Sequence, residues 1–411
     1  MAEMLDLQSD TNLSVLDAGA GAGALSESVL GLVQQPVQLT MVEKDVILAD
    51  HLAELLSHFD DKLAVGSEVI AGDFIDASIR WRALGTTFSH VIMNPPYERV
   101  RGGSTERESL KGAGVVASNL YAAFLWLGMD LLREGGRMVA VVPRSVLSGG
   151  QFRLLRQHLL ASGSLFRLHH FRSRREIFQR DSVQQEVVVL GMVKGVKVDE
   201  VRYSRSSSLG DIPSESLLMP RERFEDAGGD DAILVPSENA RAALSPEPIL
   251  PVGTDVSVGS VVDFRLPEGS LNESSIGVRL FGSELFSAKE QPERWMRVES
   301  ATSRFVMPPG RYLVVKRISP PETQPRLKHR VVDATSEKFQ DGVAFENHVL
   351  VVHASGEGLS DEACIFLDES FGADAAQQQI QERTGSTQIN AADIRAMRRF
   401  AARTEGGMHG G

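Results

Sequence analysis

Short, uninterrupted apolar runs alternate with longer stretches of helical spacing along the first 195 residues. An apolar run of about four to eight residues is typical of a strand buried on both faces of a sheet. The alternation therefore predicts an α/β fold with a doubly wound, mostly parallel sheet. The predicted strands cover residues 13–17, 37–42, 68–71, 88–93, 137–143, 165–171 and 187–193, and the predicted helices cover 45–58, 120–132 and 152–161.

The pattern changes beyond Gly195, where the apolar periodicity fades and Ser, Pro, Glu and Asp become frequent. A composition of this kind is typical of a connector between domains. We therefore predict a first domain at 1–195, a connector at 196–250 and a mixed, strand-rich second domain at 251–411. Strand-like runs in the second domain cover 257–264, 312–318, 330–332 and 348–353, and helical patterns cover 373–382 and 391–402.

At 411 residues, of which 42% are hydrophobic, the chain can form two or three domains with large cores. No apolar run approaches the roughly 18 to 20 residues that span a bilayer, and residues 1–12 lack a signal-peptide pattern, so we expect a cytoplasmic protein. The single cysteine, Cys364, excludes an internal disulfide and is expected to be a small buried side chain. His169 and His170 lack metal-ligand spacing, so no metal site is predicted.

The net charge of −12 argues against a nucleic-acid partner, but the cations are unevenly distributed. Residues 144–180 contain eight arginines and one acid, and residues 311–330 contain six cations and one acid. Both segments could contact phosphates while acidic surfaces elsewhere keep the protein soluble. Solvated surfaces without a nucleic-acid role are the alternative interpretation.

A glycine-rich turn follows the first predicted strand. Asp17 ends that strand, and Gly19, Gly21 and Gly23 let the backbone approach a ligand and let the next helix pack closely on the sheet. Many nucleotide-binding folds contain such a turn, and so do some plain turns. The turn alone therefore does not identify a ligand.

Acidic residues also end the second and third predicted strands. Glu43 is well placed to accept hydrogen bonds from both hydroxyls of a ribose. Asp73 could bond an adenine amino group while Phe74 covers the face of the ring. In parallel strands these ends meet at one edge of the sheet, where a nucleoside could bind.

The fourth predicted strand ends abruptly at Asn94, Pro95, Pro96 and Tyr97, since two prolines forbid further strand pairing. An amide, two prolines and an aromatic ring at a strand end suit the binding of a planar, amine-bearing group by its edge and its face. Such a site requires a donor cofactor. The acidic strand ends supply a candidate place for one.

The order of these features resembles that of the S-adenosylmethionine-dependent amino methyltransferases of DNA, with residues 17–23, including Ala18, as the cofactor loop and Asn94–Tyr97 as the catalytic motif. Residues 313–319, 344–348 and 386–395 are similar to the carboxyl-terminal part of adenine methyltransferases of the PstI/BsuBI type, which belong to restriction–modification systems. The resemblance covers most of the chain. It implies S-adenosyl-L-methionine as cofactor, a flipped adenine in double-stranded DNA as substrate, and a partner endonuclease acting on the same site.

The resemblance also implies roles for individual residues. Phe178 matches an aromatic that stacks on the extruded base together with Tyr97, although it could instead plug an arginine-rich hairpin. Only about a dozen residues precede Leu13, so either the chain begins late or residues 4–7 take over contacts to the methionine end of the cofactor. The residues expected to contact DNA are Arg172, Arg174, Arg175, Lys316, Arg317, Asn347, Gln388 and Asn390, of which Asn347 and Asn390 could alternatively be turn or cap residues.

Several alternatives to an adenine-N6 DNA methyltransferase stay open at this point, of which the exocyclic amine of cytosine, which the same tetrapeptide can serve, is a minor one. An enzyme with the same tetrapeptide could methylate RNA or a protein glutamine. A chain with an impaired cofactor site could be a DNA-binding module without activity.

Overall fold

The computed structural model describes residues 1–9, 12–171, 186–206, 216–226, 231–236, 244–272, 276–298 and 305–400. The chain divides into two compact units, Met1–Glu225 and Asp226–Gly411. The first unit extends beyond Gly195, the predicted end of the first domain, because two further strands join its sheet. These strands lie in the segment that we predicted to be a connector.

The described part of the first unit contains one sheet of nine strands in the order β3-β2-β1-β4-β5-β7-β6-β8-β9. The first five strands of this order run parallel to one another. Strand β7 is antiparallel to both of its neighbours, β8 is parallel to β6, and β9 is antiparallel to β8. The predicted α/β fold class with a doubly wound, mostly parallel sheet is confirmed. The strands are β1 (Ser14–Ala18), β2 (Gln38–Glu43), β3 (Glu68–Ala71), β4 (Phe88–Met93), β5 (Leu132–Pro143), β6 (Gly163–Phe171), β7 (Val187–Lys194), β8 (Glu200–Ser206) and β9 (Leu217–Pro220).

Helices connect these strands, and side chains cap several of them. Asp45 accepts hydrogen bonds from the N–H groups of Ile47 and Leu48 at the start of α2, which satisfies donors that have no partner within the helix. The α-helices are α1 (Ala24–Leu32), α2 (Val46–Ser57), α3 (Phe74–Leu84), α4 (Thr105–Gly112), α5 (Leu120–Leu131) and α6 (Arg153–Ser162). Short 3-10 helices cover Ala2–Met4, Leu7–Ser9, Asp60–Lys62, Arg144–Leu147, Gly150–Phe152 and Arg221–Arg223.

Helix α4 was not predicted, because residues 98–118 are polar and show no core-forming pattern. Ser104 caps the helix by accepting from the N–H of Arg107, and Leu110 is buried. Glu106 of this helix also contacts Lys44, so the eight-residue helix is stabilised by tertiary contacts as well as by its cap.

The core of the first unit lies on the central strands, where every residue of β4 is buried. The amino-terminal residues belong to this core, since Leu5 and Leu7 are buried among side chains of β1, β2 and α1. Their apolar side chains stabilise the unit by burial.

The second unit contains three small sheets in its described residues, in the orders β11-β18-β15-β16, β12-β14-β13-β17 and β10-β19. Alternate side chains of β15 face two different cores: Leu313 and Val315 pack beneath the helices, and Tyr312 and Val314 pack with Phe345. The strands are β10 (Leu244–Pro248), β11 (Asp255–Val258), β12 (Leu271–Asn272), β13 (Val278–Phe281), β14 (Arg294–Met296), β15 (Arg311–Lys316), β16 (His329–Asp333), β17 (Val343–Phe345), β18 (Val349–His353) and β19 (Arg398–Phe400). The α-helices are α7 (Asp361–Gly372), α8 (Asp374–Arg383) and α9 (Ala391–Arg395), and 3-10 helices cover Asp263–Arg265, Ser283–Phe286 and Glu337–Phe339.

Several predictions for this unit differ from the structure. The strand predicted at 257–264 ends at Val258, and residues Asp263–Arg265 form a 3-10 helix. The helix predicted at 391–402 ends at Arg395, and the following residues form β19 by pairing with β10, a contact between distant parts of the chain. Helix α7, which was not predicted, is capped by Ser360 and buries Cys364, so the single cysteine is a buried side chain as expected.

Candidate active site

A cavity of about 460 Å³ lies where the parallel strands of the first unit end. Residues that follow β1, β2, β3 and β4 all contribute to its wall, because the carboxyl ends of parallel strands meet at one edge. Helices α4 and α5 add further side chains. The lining residues are Gly19, Val42, Glu43, Lys44, Gly72, Asp73, Phe74, Ile75, Asn94, Pro96, Glu98, Glu106, Leu120 and Phe124.

The predicted glycine turn joins β1, β2 and α2 at this cavity. Gly19 lines the cavity, and its N–H donates to the carbonyl of Val42. Gly23 has a φ of +87°, and a Cβ there would lie 2.7 Å from a side-chain carbon of Leu55. Gly19 therefore forms part of the cavity wall, whereas Gly23 allows close packing against α2.

Asp17 lies behind the turn and is not among the residues that line the cavity. Its side chain is fully buried and accepts a hydrogen bond of 2.7 Å from the Ser26 hydroxyl. Its other oxygen has no hydrogen-bond partner among the described residues. Burial, with a further contribution from the charge of Glu43, raises the pKa of Asp17 to about 6.

Glu43 holds the turn from the end of β2. One carboxylate oxygen accepts from the N–H of Gly21 at 2.8 Å, and the other accepts from the N–H of Asp45 at 2.9 Å. Because a carboxylate has about four acceptor positions, both oxygens can still accept from a ligand. These backbone bonds fix the carboxylate in the cavity wall.

Asp73 and Phe74 form the next part of the wall. Asp73 caps α3 by accepting from the N–H of Ile75, and its second oxygen lies 2.9 Å from the ammonium of Lys44. Phe74 is 3% exposed and packs against Phe124 with ring centroids 4.5 Å apart. The acid and the aromatic predicted at this strand end therefore stand side by side in the cavity wall.

Three charged residues in the wall were missed by the sequence analysis. Lys44 directly follows Glu43, and that position at a strand end could have singled it out. Its ammonium also contacts Glu106 on α4 at 3.3 Å. Glu98 lies in the polar stretch after the tetrapeptide, which has no core-forming pattern, and Glu106 carried no signal because α4 was not predicted.

The Asn94–Tyr97 tetrapeptide continues β4 at the cavity. Asn94 is exposed and lines the cavity, and its side chain forms no hydrogen bond with any residue that the structure describes. Pro95 is buried and Pro96 lines the cavity. Tyr97 is half-buried, its pKa is raised by burial, and its hydroxyl lies 3.5 Å from the carbonyl of Val141.

The arginine-rich segment that begins at residue 144 is partly structural. Arg144 forms a buried ion pair of 2.6 Å with Glu186, which His170 also contacts at 3.2 Å. Arg156 is fully buried and donates to the carbonyls of Val146 and Gly149. The residues predicted beyond this point, Arg172, Arg174, Arg175 and Phe178, lie outside the described residues.

The five residues of the second unit that were predicted to contact DNA belong to neighbouring segments. Arg317 donates to the carbonyl of Asn347 at 2.8 Å and to the side-chain oxygen of Gln388 at 3.3 Å. Lys316 precedes Arg317 at the end of β15 and is half-exposed. Asn390 is exposed and is the N-cap residue of α9, its backbone N–H donating to Asp393, so it has a capping role there.

No group of three or more potential metal ligands occurs among the residues that the structure describes. Within the same residues, no helix has the length and apolarity needed to cross a membrane.

The strand order of the first unit, with acids at successive strand ends and the tetrapeptide after β4, defines a class I methyltransferase fold. A family model described as Eco57I restriction-modification methylase matches residues 43–178. The Type II methyltransferase M.BsuBI of Bacillus subtilis is 32% identical over 94% of this chain and 82% of its own length. The chain therefore belongs to the Type II methyltransferase family of restriction–modification systems, and it is a DNA methyltransferase.

A second relative extends the same finding. The Type II methyltransferase M.PstI of Providencia stuartii is 28% identical over 93% of this chain and 81% of its own length. The solved structure of the Type IIL restriction-modification enzyme MmeI in complex with DNA is 14% identical, with a TM-score of 0.50 over 82% of this chain and 56% of that one. At that identity the likeness concerns the fold. The resemblance identified from the sequence is confirmed.

Proposed function

We propose that this enzyme transfers a methyl group from S-adenosyl-L-methionine to the exocyclic N6 amine of an adenine flipped out of double-stranded DNA. The observation that carries the proposal is the position of Asn94. Its free amide lies in the same cavity wall as Glu43, Asp73 and Phe74. The residues proposed to bind the nucleoside and the residue proposed to bind the amine thus line one cavity.

The residues present fit this cofactor. The cavity of about 460 Å³ falls in the range of roughly 300 to 1,000 Å³ common for small-molecule sites. Glu43 offers acceptors for ribose hydroxyls, Asp73 offers acceptors for the adenine amine, and Phe74 offers apolar ring surface. Ala18, Gly19, Gly21 and Gly23 form the turn beside them, with Asp17 supporting the turn from behind.

When bound, S-adenosylmethionine supplies a methyl group already activated by its attachment to a positively charged sulfur. The task left to the protein is to place the amine in line with that methyl group. An aromatic amine is a weak nucleophile, since its lone pair is delocalised into the ring. If the Asn94 side-chain oxygen and the Pro95 carbonyl accept the two amine hydrogens, the lone pair is directed away from the ring plane.

A paired base cannot enter a cavity at a sheet edge, so the adenine has to rotate out of the duplex, which costs a few kcal/mol. Tyr97 would stack on the extruded base, with Phe178 on its other face. Arg172, Arg174 and Arg175 would contact phosphates near the opened pair. These contacts would offset the loss of stacking within the duplex.

In the second unit, the proposal assigns DNA contacts to Lys316, Arg317, Asn347, Gln388 and Asn390. Lys316 suits a phosphate contact because it is half-exposed. Arg317 already bonds Gln388 and thereby orients its amide, an arrangement suited to the base edges of the recognised sequence. Since the family serves restriction–modification systems, we further propose a cognate endonuclease that cleaves the unmethylated form of the same sequence in the cytoplasm.

The decisive experiment is single-molecule sequencing of DNA from a methylation-free host that expresses this chain. We expect N6-methyladenine at one defined motif. Modified cytosine, or unmodified DNA together with methylated RNA or protein, would overturn the proposal.

Two variants separate chemistry from cofactor binding. Asn94→Ala should abolish methyl transfer while leaving S-adenosylmethionine affinity, measured by calorimetry, nearly unchanged. Glu43→Ala should weaken cofactor binding, because it removes the predicted ribose acceptors. Full activity of the Asn94→Ala variant would refute the proposed role of the tetrapeptide.

A further inference from the structure

Tyr97 is the first of three aromatic rings that are in contact. Its ring meets that of Tyr121 edge to face, with centroids 5.8 Å apart and an interplanar angle of 81°. Tyr121 in turn meets Phe152 with centroids 5.6 Å apart. The three rings come from three separate segments: the turn after β4, helix α5 and the residue before α6.

The ring of Tyr121 is more deeply buried than the ring of Tyr97. Tyr121 is 4% exposed and Phe152 is 1% exposed, whereas Tyr97 is half-buried. The Tyr121 hydroxyl is hydrogen-bonded to the side chain of Ser145, in the turn that follows β5. Packing on one side and a polar contact at the tip therefore fix the orientation of the Tyr121 ring.

The Tyr97 ring contacts Tyr121 edge to face and Val141 through its hydroxyl. Its hydroxyl lies 3.5 Å from the carbonyl of Val141, at the outer limit of a hydrogen bond. Edge-to-face contact with a fixed neighbour restricts the tilt of a ring, because the positive edge of one ring prefers the negative face of the other. The contact with Tyr121 thus restricts the angle of the Tyr97 ring.

We propose that Tyr121 is a positioning residue for methyl transfer, which holds the Tyr97 ring at the angle needed to stack on the target base. The inference rests on the proposed function, in which Tyr97 contacts the base, and adds a residue that does not line the cavity. A preorganised stacking surface matters because a misplacement of about 1 Å can lower a rate by about 100-fold.

The test compares Tyr121→Leu with a control on the same helix. Trp126, also on α5, stacks on His158 with centroids 4.1 Å apart and does not line the cavity, so Trp126→Leu removes a ring of the same helix without touching Tyr97. In single-turnover assays with excess enzyme, Tyr121→Leu should lower the methyl-transfer rate by about 10- to 100-fold. Both variants should bind S-adenosylmethionine like the wild type, and Trp126→Leu should keep the wild-type rate.

Two further variants make the test specific. Tyr121→Phe keeps the ring and loses only the hydroxyl, so it should fold and retain the rate within about threefold. In a Tyr97→Leu background, Tyr121→Leu should lower the rate by less than about twofold, because its effect passes through the Tyr97 ring. A purely structural role predicts instead that the two losses multiply.

The inference is overturned if Tyr121→Leu transfers methyl groups at the wild-type rate, if Trp126→Leu is equally slow, or if the losses multiply in the double variant. Failure of the proposed function is recognised separately, since the wild-type enzyme would then leave the adenines of host DNA unmodified.

Discussion

Replacing Asp17 by asparagine should stabilise the enzyme at alkaline pH and have little effect in mild acid. The carboxylate is fully buried, one of its oxygens has no partner among the described residues, and its pKa is raised from the ordinary 3.8 to about 6. A buried acid with a raised pKa favours the protonated form when folded. The loss of unfolding free energy that the charged carboxylate causes is therefore absent below about pH 4, grows as the pH rises, and is complete above about pH 6.

The size of the effect follows from the difference in pKa. Because one pKa unit corresponds to about 1.4 kcal/mol, the charged carboxylate lowers the free energy of unfolding by about 3 kcal/mol at pH 8 and by about 1 kcal/mol at pH 4.5. Asparagine keeps the acceptor for Ser26 but buries an amide NH₂ at the unpartnered position, which costs roughly 1 to 2 kcal/mol at any pH. The net gain should be about 1 to 2 kcal/mol at pH 8 and close to zero at pH 4.5.

Equilibrium urea unfolding of the wild type and of Asp17→Asn at both pH values measures this difference. The constant amide contribution cancels in the comparison, so the effect of the substitution should be more favourable at pH 8 by about 2 kcal/mol. Asp50→Asn, on the exposed side of α2, is the matched control and should change the free energy of unfolding by less than about 0.5 kcal/mol. An effect of Asp17→Asn that is the same at both pH values would refute the reasoning.

Three further outcomes are expected. Gly23→Ala should lower the free energy of unfolding by about 1 to 3 kcal/mol in urea titrations, since its Cβ would meet side chains of α2 and its φ is +87°. Glu186→Gln should lower the free energy of unfolding by about 3 to 5 kcal/mol at pH 7, because it removes the negative charge from a buried ion pair with Arg144. Burial raises the pKa of Glu186, but Arg144 and His170 outweigh this effect and lower the pKa to about 2. The stability that Glu186 adds above pH 4.5 is therefore lost as the pH falls, and the difference between variant and wild type should shrink in thermal melts at acid pH. Lys316→Ala should weaken DNA binding similarly on all sequences and reduce the salt dependence of binding by about one ion, as measured by fluorescence anisotropy at several salt concentrations.

The sequence predicted the first unit well where local pattern and tertiary burial agree. Strand β4 is apolar along its length and is buried along its length. Helix α2 begins at the predicted acid, Asp45, because that side chain satisfies two free backbone donors. Such elements carry their signal in consecutive residues.

Prediction failed where an element depends on distant partners. Strand β19 exists because residues 398–400 pair with β10, about 150 positions earlier in the chain. Nothing in the local sequence distinguishes those residues from the end of a helix. Helix α4, in the same way, has distant partners, since Leu110 is buried against the unit and Glu106 contacts Lys44.

The candidate site shows the same division. Residues at strand ends, such as Glu43 and Asp73, were found because parallel strands bring their ends together. Lys44 and Glu106 meet 62 positions apart in the chain, and only the folded unit joins them. The arginines of residues 144–180 were predicted as possible phosphate contacts, but Arg144 and Arg156 are buried. A count of cations cannot show which of them are buried or paired.

Strand β7 has a consequence for the adaptability of this fold. Phe171 at the end of β6 pairs with Val187 at the start of β7, so the chain leaves and re-enters the sheet at adjacent positions. Val187 also pairs with Pro143, which places both positions at the carboxyl end of β5. A protein engineer could therefore exchange residues 172–185 for a segment of another length, keeping Glu186 as the partner of Arg144 and leaving the register of β5, β6 and β7 unchanged.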